Sequence, residues 1–180
     1  MQTSIHGTLV MVHGIGVLIT GTPEVGKSEI ALTLIKWGHK LVADDKVDIT
    51  LMQDNLIGSC PPPIYGFIEL RGVGVIDVHE IFGQVSIQQT CRIDLIANLS
   101  VWDDKKVYDR FGELDCFKEI LGLNVPYYDV PLKIGRNMAT ILEVLALHQK
   151  AKINGKYAYK KLSDNVKEFM DENRRNNQSE

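Results

Sequence analysis

The segment Gly21-Thr22-Pro23-Glu24-Val25-Gly26-Lys27-Ser28 has the spacing G-x-x-x-x-G-K-[ST], whose chemistry is the holding of a polyphosphate. Two glycines let the backbone wind closely around a phosphate, so that successive amide N–H groups point inward at the start of a helix. Lys27 then neutralises the β- and γ-oxygens, and Ser28 offers a hydroxyl to Mg²⁺, a hard cation usually shared between protein and nucleotide oxygens. Pro23 and Glu24 are odd occupants of such a loop. Pro23 removes one amide donor and Glu24 brings negative charge towards an anion, so weaker nucleotide affinity than a glycine-rich loop gives is expected. The bland alternative is a tight strand-to-helix turn with a surface lysine.

Other groups could join this chemistry. Asp44-Asp45 follows the apolar run Leu41-Val42-Ala43, and carboxylates at a strand's C-terminal end beside a phosphate loop are placed for metal binding or base chemistry. Adjacent strand residues point to opposite faces, so one of the pair is expected to face the phosphate while the other braces the site. Two turn-forming aspartates are the alternative. Glu69 and Arg71 share a strand face just before Gly72 and Gly74, which reads either as a surface salt bridge or as close approach by a ligand. Arg110, in Tyr108-Asp109-Arg110-Phe111-Gly112, either pairs with Asp109 or stabilises charge on a transferring phosphoryl group. Lys133 and Arg136 bring two cations to the start of a helix, as an anion site or as a basic capping loop. His6 and His13 flank the first predicted strand, and lone histidines are more often structural.

The elements that must position these groups follow from periodicity. Val17-Leu18-Ile19 leads straight into the loop, and a helix-period run with Ile30, Leu34 and Ile35 follows it until Gly38, which is the context the motif requires. Strands are expected at 8–12, 17–20, 40–43, 47–52, 56–58, 67–71, 73–78 and 93–99, with a hairpin turn at Gln53-Asp54-Asn55 and a sheet edge or loop at Pro61-Pro62-Pro63. Residues 101–131 read as irregular chain. Two helices close the sequence, at 138–150 and 158–172, the second with Leu162, Val166, Phe169 and Met170 on one side; residues 173–180 read as a polar, disordered tail.

At 180 residues and 44% hydrophobic content, one α/β domain with a single core is expected. A net charge of −3 gives no reason to expect nucleic acid or an acidic membrane as partner. The three cysteines are widely spaced without C-x-x-C, so neither a disulfide framework nor a zinc site is suggested, and a reducing cytosol fits. No membrane span or signal peptide is apparent.

Taken together, from about His6 to about Lys152, these blocks in this order resemble the C-terminal catalytic domain of HPr kinase/phosphorylase. They comprise the histidine-glycine start, the phosphate loop, the stretch from Gly38 to Asp48, Glu69 to Val78, Asp109-Arg110-Phe111-Gly112, and Pro131 to Asn137. The resemblance implies a bacterial enzyme that uses ATP or pyrophosphate with Mg²⁺ to phosphorylate a serine of the phosphocarrier protein HPr. It also implies phosphorolysis of that phosphoserine by inorganic phosphate, giving pyrophosphate. By the same resemblance His6, Lys27, Asp45 and Arg110 are the active-site positions, Ser28 and Glu69 the metal ligands, and Lys133 and Arg136 part of a loop tied to dephosphorylation. The implied fold is P-loop-containing and like phosphoenolpyruvate carboxykinase, with a mixed, strand-rich sheet and C-terminal helices, assembled as a homo-oligomer, a hexamer. Residues 1–172 would be the catalytic domain. The family's separate N-terminal domain is absent from these residues, and Thr22-Pro23-Glu24 stand where the family usually has Asp-Ser-Gly. The alternatives are a shortened P-loop kinase acting on another protein or a metabolite, and a nucleotide-gated regulatory module without phosphotransfer. Retention of Asp45, Glu69 and Arg110 speaks against the last, which needs no base.

Overall fold

The alternation of apolar residues along two consecutive segments decides the architecture. In the computed structural model, which describes residues 1–110, 112 and 114–177 with side chains through 175, β2 (Thr8–Val12) and β3 (Ile15–Gly21) form an antiparallel hairpin buried on both faces. Val10, Val17 and Ile19 point to one side, Leu9 and Leu18 to the other. A sheet with two apolar faces needs a layer on each.

The hairpin lies inside a six-stranded sheet of order β11-β12-β10-β3-β2-β4, completed by β4 (Lys40–Ala43), β10 (Leu95–Val101), β11 (Phe117–Ile120) and β12 (Leu123–Leu132). β3, β10 and β12 run parallel, the rest antiparallel. One face is covered by α1 (Lys27–Lys36) and α3 (Met138–Ile153), through Ala31, Leu34, Ile35, Leu142 and Ala146. The other is covered by a smaller antiparallel sheet of β1 (Gln2–His6), β5 (Lys46–Met52), β6 (Asn55–Ser59) and β9 (Thr90–Arg92), through Val47, Ile49 and Leu56. A separate hairpin, β7 (Phe67–Leu70) and β8 (Gly74–Asp77), leads into the short helix α2 (Val78–Phe82) and seats Ile68 against the helical side. The expected α/β class with a mixed, strand-rich sheet and C-terminal helices is what the chain forms.

Several expectations are corrected. The stretch 101–131 is not irregular throughout: it holds β11 and most of β12, the longest strand at ten residues. Pro126 and Pro131 disguise it. Pro126 precedes the first residue paired with β10, and Pro131 lies near the strand's end, where missing N–H groups cost little. β1 and β9 also went unread, being short and mostly polar. The turn at Gln53-Asp54 is as expected, both residues taking the positive φ of a two-residue hairpin, and 61–63 lies in a connection that includes a 3-10 turn, Pro62–Ile64. α4 (Ala158–Asn177) is helical five residues beyond the expected end, while 178–180 lie outside the described residues. Its Leu162, Val166, Phe169 and Met170 are all exposed. No helix among the described residues is long and apolar enough to cross a membrane.

Candidate active site

The loop between β3 and α1 is shaped by two glycines. At Gly21 (φ 141°) a Cβ would lie 2.6 Å from the Leu99 carbonyl oxygen of the neighbouring strand, so only glycine lets the chain leave the sheet here. Gly26 (φ 89°) stands in the left-handed region at the N-cap of α1 and supplies no capping side chain. The first amides of α1 therefore have no side-chain acceptor from the N-cap residue, the arrangement that receives an anion. Lys27 is buried, and its Nζ donates to the carbonyls of Gly21 (3.4 Å) and Thr22 (3.1 Å), holding the loop closed on itself. Glu24, the odd residue of the motif, forms an ion pair with Arg71 at 2.7 Å. The negative charge expected to disfavour an anion is thus met by a cation from the β7–β8 hairpin.

Asp44 and Asp45 lie in the bend between β4 and β5, which turns one carboxylate inward and the other outward. Asp44 is buried, accepting from Thr8 Oγ1 at 2.7 Å and from Ser28 Oγ at 2.9 and 3.0 Å. Burial raises its pKa, opposed by those two hydroxyls and by the amides of Asp45 and Glu69. Asp45 (φ 66°) turns outward, with Oδ1 3.2 Å from Nδ1 of a half-exposed His6. The Gly7 amide donates to the Asp45 carbonyl at 3.1 Å and fixes the two chain passages side by side.

His6, Pro23, Glu24, Gly26, Lys27, Ser28, Asp45 and Glu69 consequently line one cleft, joined by Thr8, Asp44 and Arg71. Its volume, open mouth included, is about 690 Å³, within the range of small-molecule sites, ~300–1,000 Å³. Gly21 and Thr22 border an adjoining groove that His6 also reaches, and Val25 packs against the core. Ser28 Oγ meets the Asp44 carboxylate, and Asp45 and Glu69 line the same cleft, carboxylate oxygens of the type a hard divalent cation takes.

Three expected residues stand apart. Arg110 is exposed on the segment between β10 and β11 and does not line the cleft; its neighbour Phe111 lies outside the described residues. Lys133 and Arg136 follow β12, where Lys133 Nζ sits 4.4 Å from the Trp102 ring centroid and Arg136 Cζ 5.8 Å from it. These segments and the β3–α1 loop nevertheless leave the same edge of the sheet, at the C-terminal ends of its parallel strands, where ligands of such sheets bind. Thr8 was missed from sequence, since nothing separates its hydroxyl from any other polar residue heading an apolar strand.

Residues 1–166 match the HPr Serine kinase C-terminal domain. The HPr kinase/phosphorylase of Lactobacillus gasseri is 43% identical over 180 residues, taking in 99% of this chain and 56% of that protein. That of Enterococcus faecalis is 43% identical over 175 residues, 96% of this chain and 56% of its own length; that of Thermoanaerobacter pseudethanolicus is 46% identical over 155 residues, 86% and 51%. The chain spans about half the length of the curated relatives it matches. Among solved structures, the Hpr(Ser) kinase/phosphatase from Coxiella burnetii superposes with a TM-score of 0.81 at 33% identity, covering 93% of this chain and 98% of that one.

Proposed function

Because the chain belongs to the HPr serine kinase C-terminal domain family, we propose that it transfers a phosphoryl group from ATP or pyrophosphate to a serine hydroxyl of the phosphocarrier protein HPr. We further propose that it runs phosphorolysis of the phosphoserine, with inorganic phosphate attacking and pyrophosphate leaving. The observation that carries this reading is the convergence of Lys27, Ser28 and the His6–Asp45 pair on one cleft. A binding switch would need the first two and not the third.

Asp45 accepts the serine proton as the serine oxygen attacks phosphorus and the bond to the leaving group breaks, releasing ADP from ATP or phosphate from pyrophosphate. In phosphorolysis the phosphate oxygen attacks, the bond to the serine oxygen breaks, and Asp45 returns the proton to it, as microscopic reversibility requires of one group. His6 positions Asp45 through the 3.2 Å contact. Lys27 exchanges the Gly21 and Thr22 carbonyls for phosphoryl oxygens, and the amides at the start of α1 bind the same phosphates. Ser28 and Glu69 would hold Mg²⁺, which when bound supplies neutralisation of phosphoryl charge. Arg110 would add positive charge to the transferring group, and Lys133 and Arg136 would serve the attacking phosphate from the neighbouring rim. The reading includes a P-loop, phosphoenolpyruvate carboxykinase-like unit over residues 1–172, hexameric assembly and a cytoplasmic setting.

The test uses radiolabelled ATP, purified HPr and HPr with its acceptor serine changed to alanine. Label is expected on HPr alone, and Asp45→Asn is expected to lower both directions by ~10²-fold or more. Undiminished rates in Asp45→Asn would overturn the base assignment, and label passing to another acceptor would replace HPr. Light scattering tests the assembly, which a monomer would contradict.

A further inference from the structure

Away from the cleft, at the other end of β3, three groups converge that the proposed reaction does not use. His13 Nε2 lies 3.0 Å and His39 Nε2 2.8 Å from the same oxygen, Glu143 Oε1, and the three donor atoms all lie within 4.8 Å of one another. The rings of His13 and His39 meet edge to face at 4.6 Å. From sequence His13 reads as a lone histidine; the fold gives it two partners from distant segments. We propose that His13, His39 and Glu143 form a binding site for a divalent transition metal ion of the zinc type, which clamps α3 to the β2–β3 hairpin.

Two imidazole nitrogens and a carboxylate oxygen are a donor set that borderline ions such as Zn²⁺ take with a water in the fourth position. It differs from the all-oxygen set around Ser28, which suits a harder ion. Tetrahedral ligands at ~2.0–2.1 Å from a metal stand about 3.3 Å apart. The two nitrogen–oxygen pairs are already within about half an ångström of that. An ion would take the place of the Nε2 protons now directed at Glu143 Oε1: a neutral ring keeps its proton by moving it to Nδ1, and a protonated ring releases one. Solvent reaches the site along His13 and Glu143, whose side chains are 40% and 27% exposed, while His39, at 7%, forms its wall.

The donors are held on three elements. His13 (φ 50°) and Gly14 (φ 82°) make the two-residue β2–β3 turn, in which the backbone aims the imidazole towards α3. His39 precedes β4 and is fixed by its own amide, which donates to Leu34 at 3.1 Å. Glu143 lies two helical turns before Lys150, whose Nζ donates to the His13 carbonyl at 2.9 Å. α3 therefore grips the turn independently of any ion, and the site stays assembled without one. Seven residues of β3 separate it from the phosphate loop, a span of about 20 Å, so the two sites can be loaded separately.

The test titrates Zn²⁺ alone into the full chain with Cys60, Cys91 and Cys116 changed to serine and with excess Mg²⁺ present, using a competing chromogenic chelator. One ion per chain is expected, with an affinity at least tenfold weaker in Glu143→Gln and in His13→Asn, the second keeping a residue that tolerates the left-handed turn. Circular dichroism confirms that both variants are folded. Saturating Zn²⁺ should raise the melting temperature of the parent protein and not of the variants, and X-ray absorption should show two imidazole ligands. Unchanged affinity in both folded variants, or no ion retained by the parent, overturns the site. Because no phosphotransfer is measured, its failure leaves the proposed function untouched.

Discussion

Replacing Thr8 by valine isolates the bond that orients the buried carboxylate behind the β3–α1 loop. Thr8 is fully buried, and its hydroxyl donates to Asp44 at 2.7 Å. Hydrogen bonds to a charged group contribute about 1.5–3 kcal/mol. The valine methyl returns part of this, ~0.8 kcal/mol for one buried carbon. Asp44 retains the Ser28 hydroxyl and the amides of Asp45 and Glu69, so its charge is not orphaned and the larger penalty of an unpaired ion does not apply. The net cost is therefore about 1–2 kcal/mol, read as a lower urea midpoint at pH 7 with unchanged m-value. In an Asp44→Asn background the lost bond is between neutral groups and is worth ~0.5–1.5 kcal/mol before the same methyl return. The cycle should then show a coupling of about 1 kcal/mol. A Thr8→Val cost equal in both backgrounds would refute the charged, hydroxyl-braced Asp44 and with it the account of how Ser28 is aimed.

Two further outcomes follow from packing and burial. Gly16→Ala places a Cβ 1.8 Å from the Arg92 carbonyl oxygen, a clash that only backbone movement relieves. We expect it to cost about 3 kcal/mol or more in a thermal or urea melt, and a melt within error of the parent would show that β3 does not pack so closely on β9. Burial raises the Cys91 thiol pKa to about 12 and that of Cys60 to about 11, whereas Cys116 is exposed. At pH 8 these two half-buried thiols are about one part in 10³ or less thiolate, so iodoacetamide should label Cys116 first by mass spectrometry, and equal rates at all three would contradict this difference.

The parts of the site legible in sequence are those in which local geometry and chemistry coincide. Gly21 and Gly26 declare a strand-loop-helix turn because both take positive φ there, Lys27 and Ser28 complete the motif at the start of α1, and Asp44-Asp45 follow an apolar strand whose end they mark. Which aspartate is braced and which turns outward was not legible, because the pair lies in a bend with Asp45 at φ 66° and strand alternation does not apply to it. The bracing depends on Thr8, which contributes a hydroxyl from 36 residues away. Pairings such as Glu24–Arg71 and His39–Glu143 depend on which elements pack together, and no spacing encodes them. The strand at 123–132 stayed hidden because its prolines mimic loop punctuation while occupying positions that the ladder tolerates.

The chain passes from one sheet to the other twice at the same point, between His6 and Thr8 and between Ala43 and Lys46. His6 and Asp45 thereby travel with the small sheet, while Lys27 and Ser28 are rooted in the large one. Under the proposed reaction, how far Asp45 stands from the phosphorus would follow from the thickness of the oily layer in between, where Leu9 and Leu18 meet Val47, Ile49 and Leu56. Those five side chains act as shims. Trimming one of them would detune turnover from beneath the reaction, since a displacement of about 1 Å suffices for a hundredfold loss, with every reacting group intact.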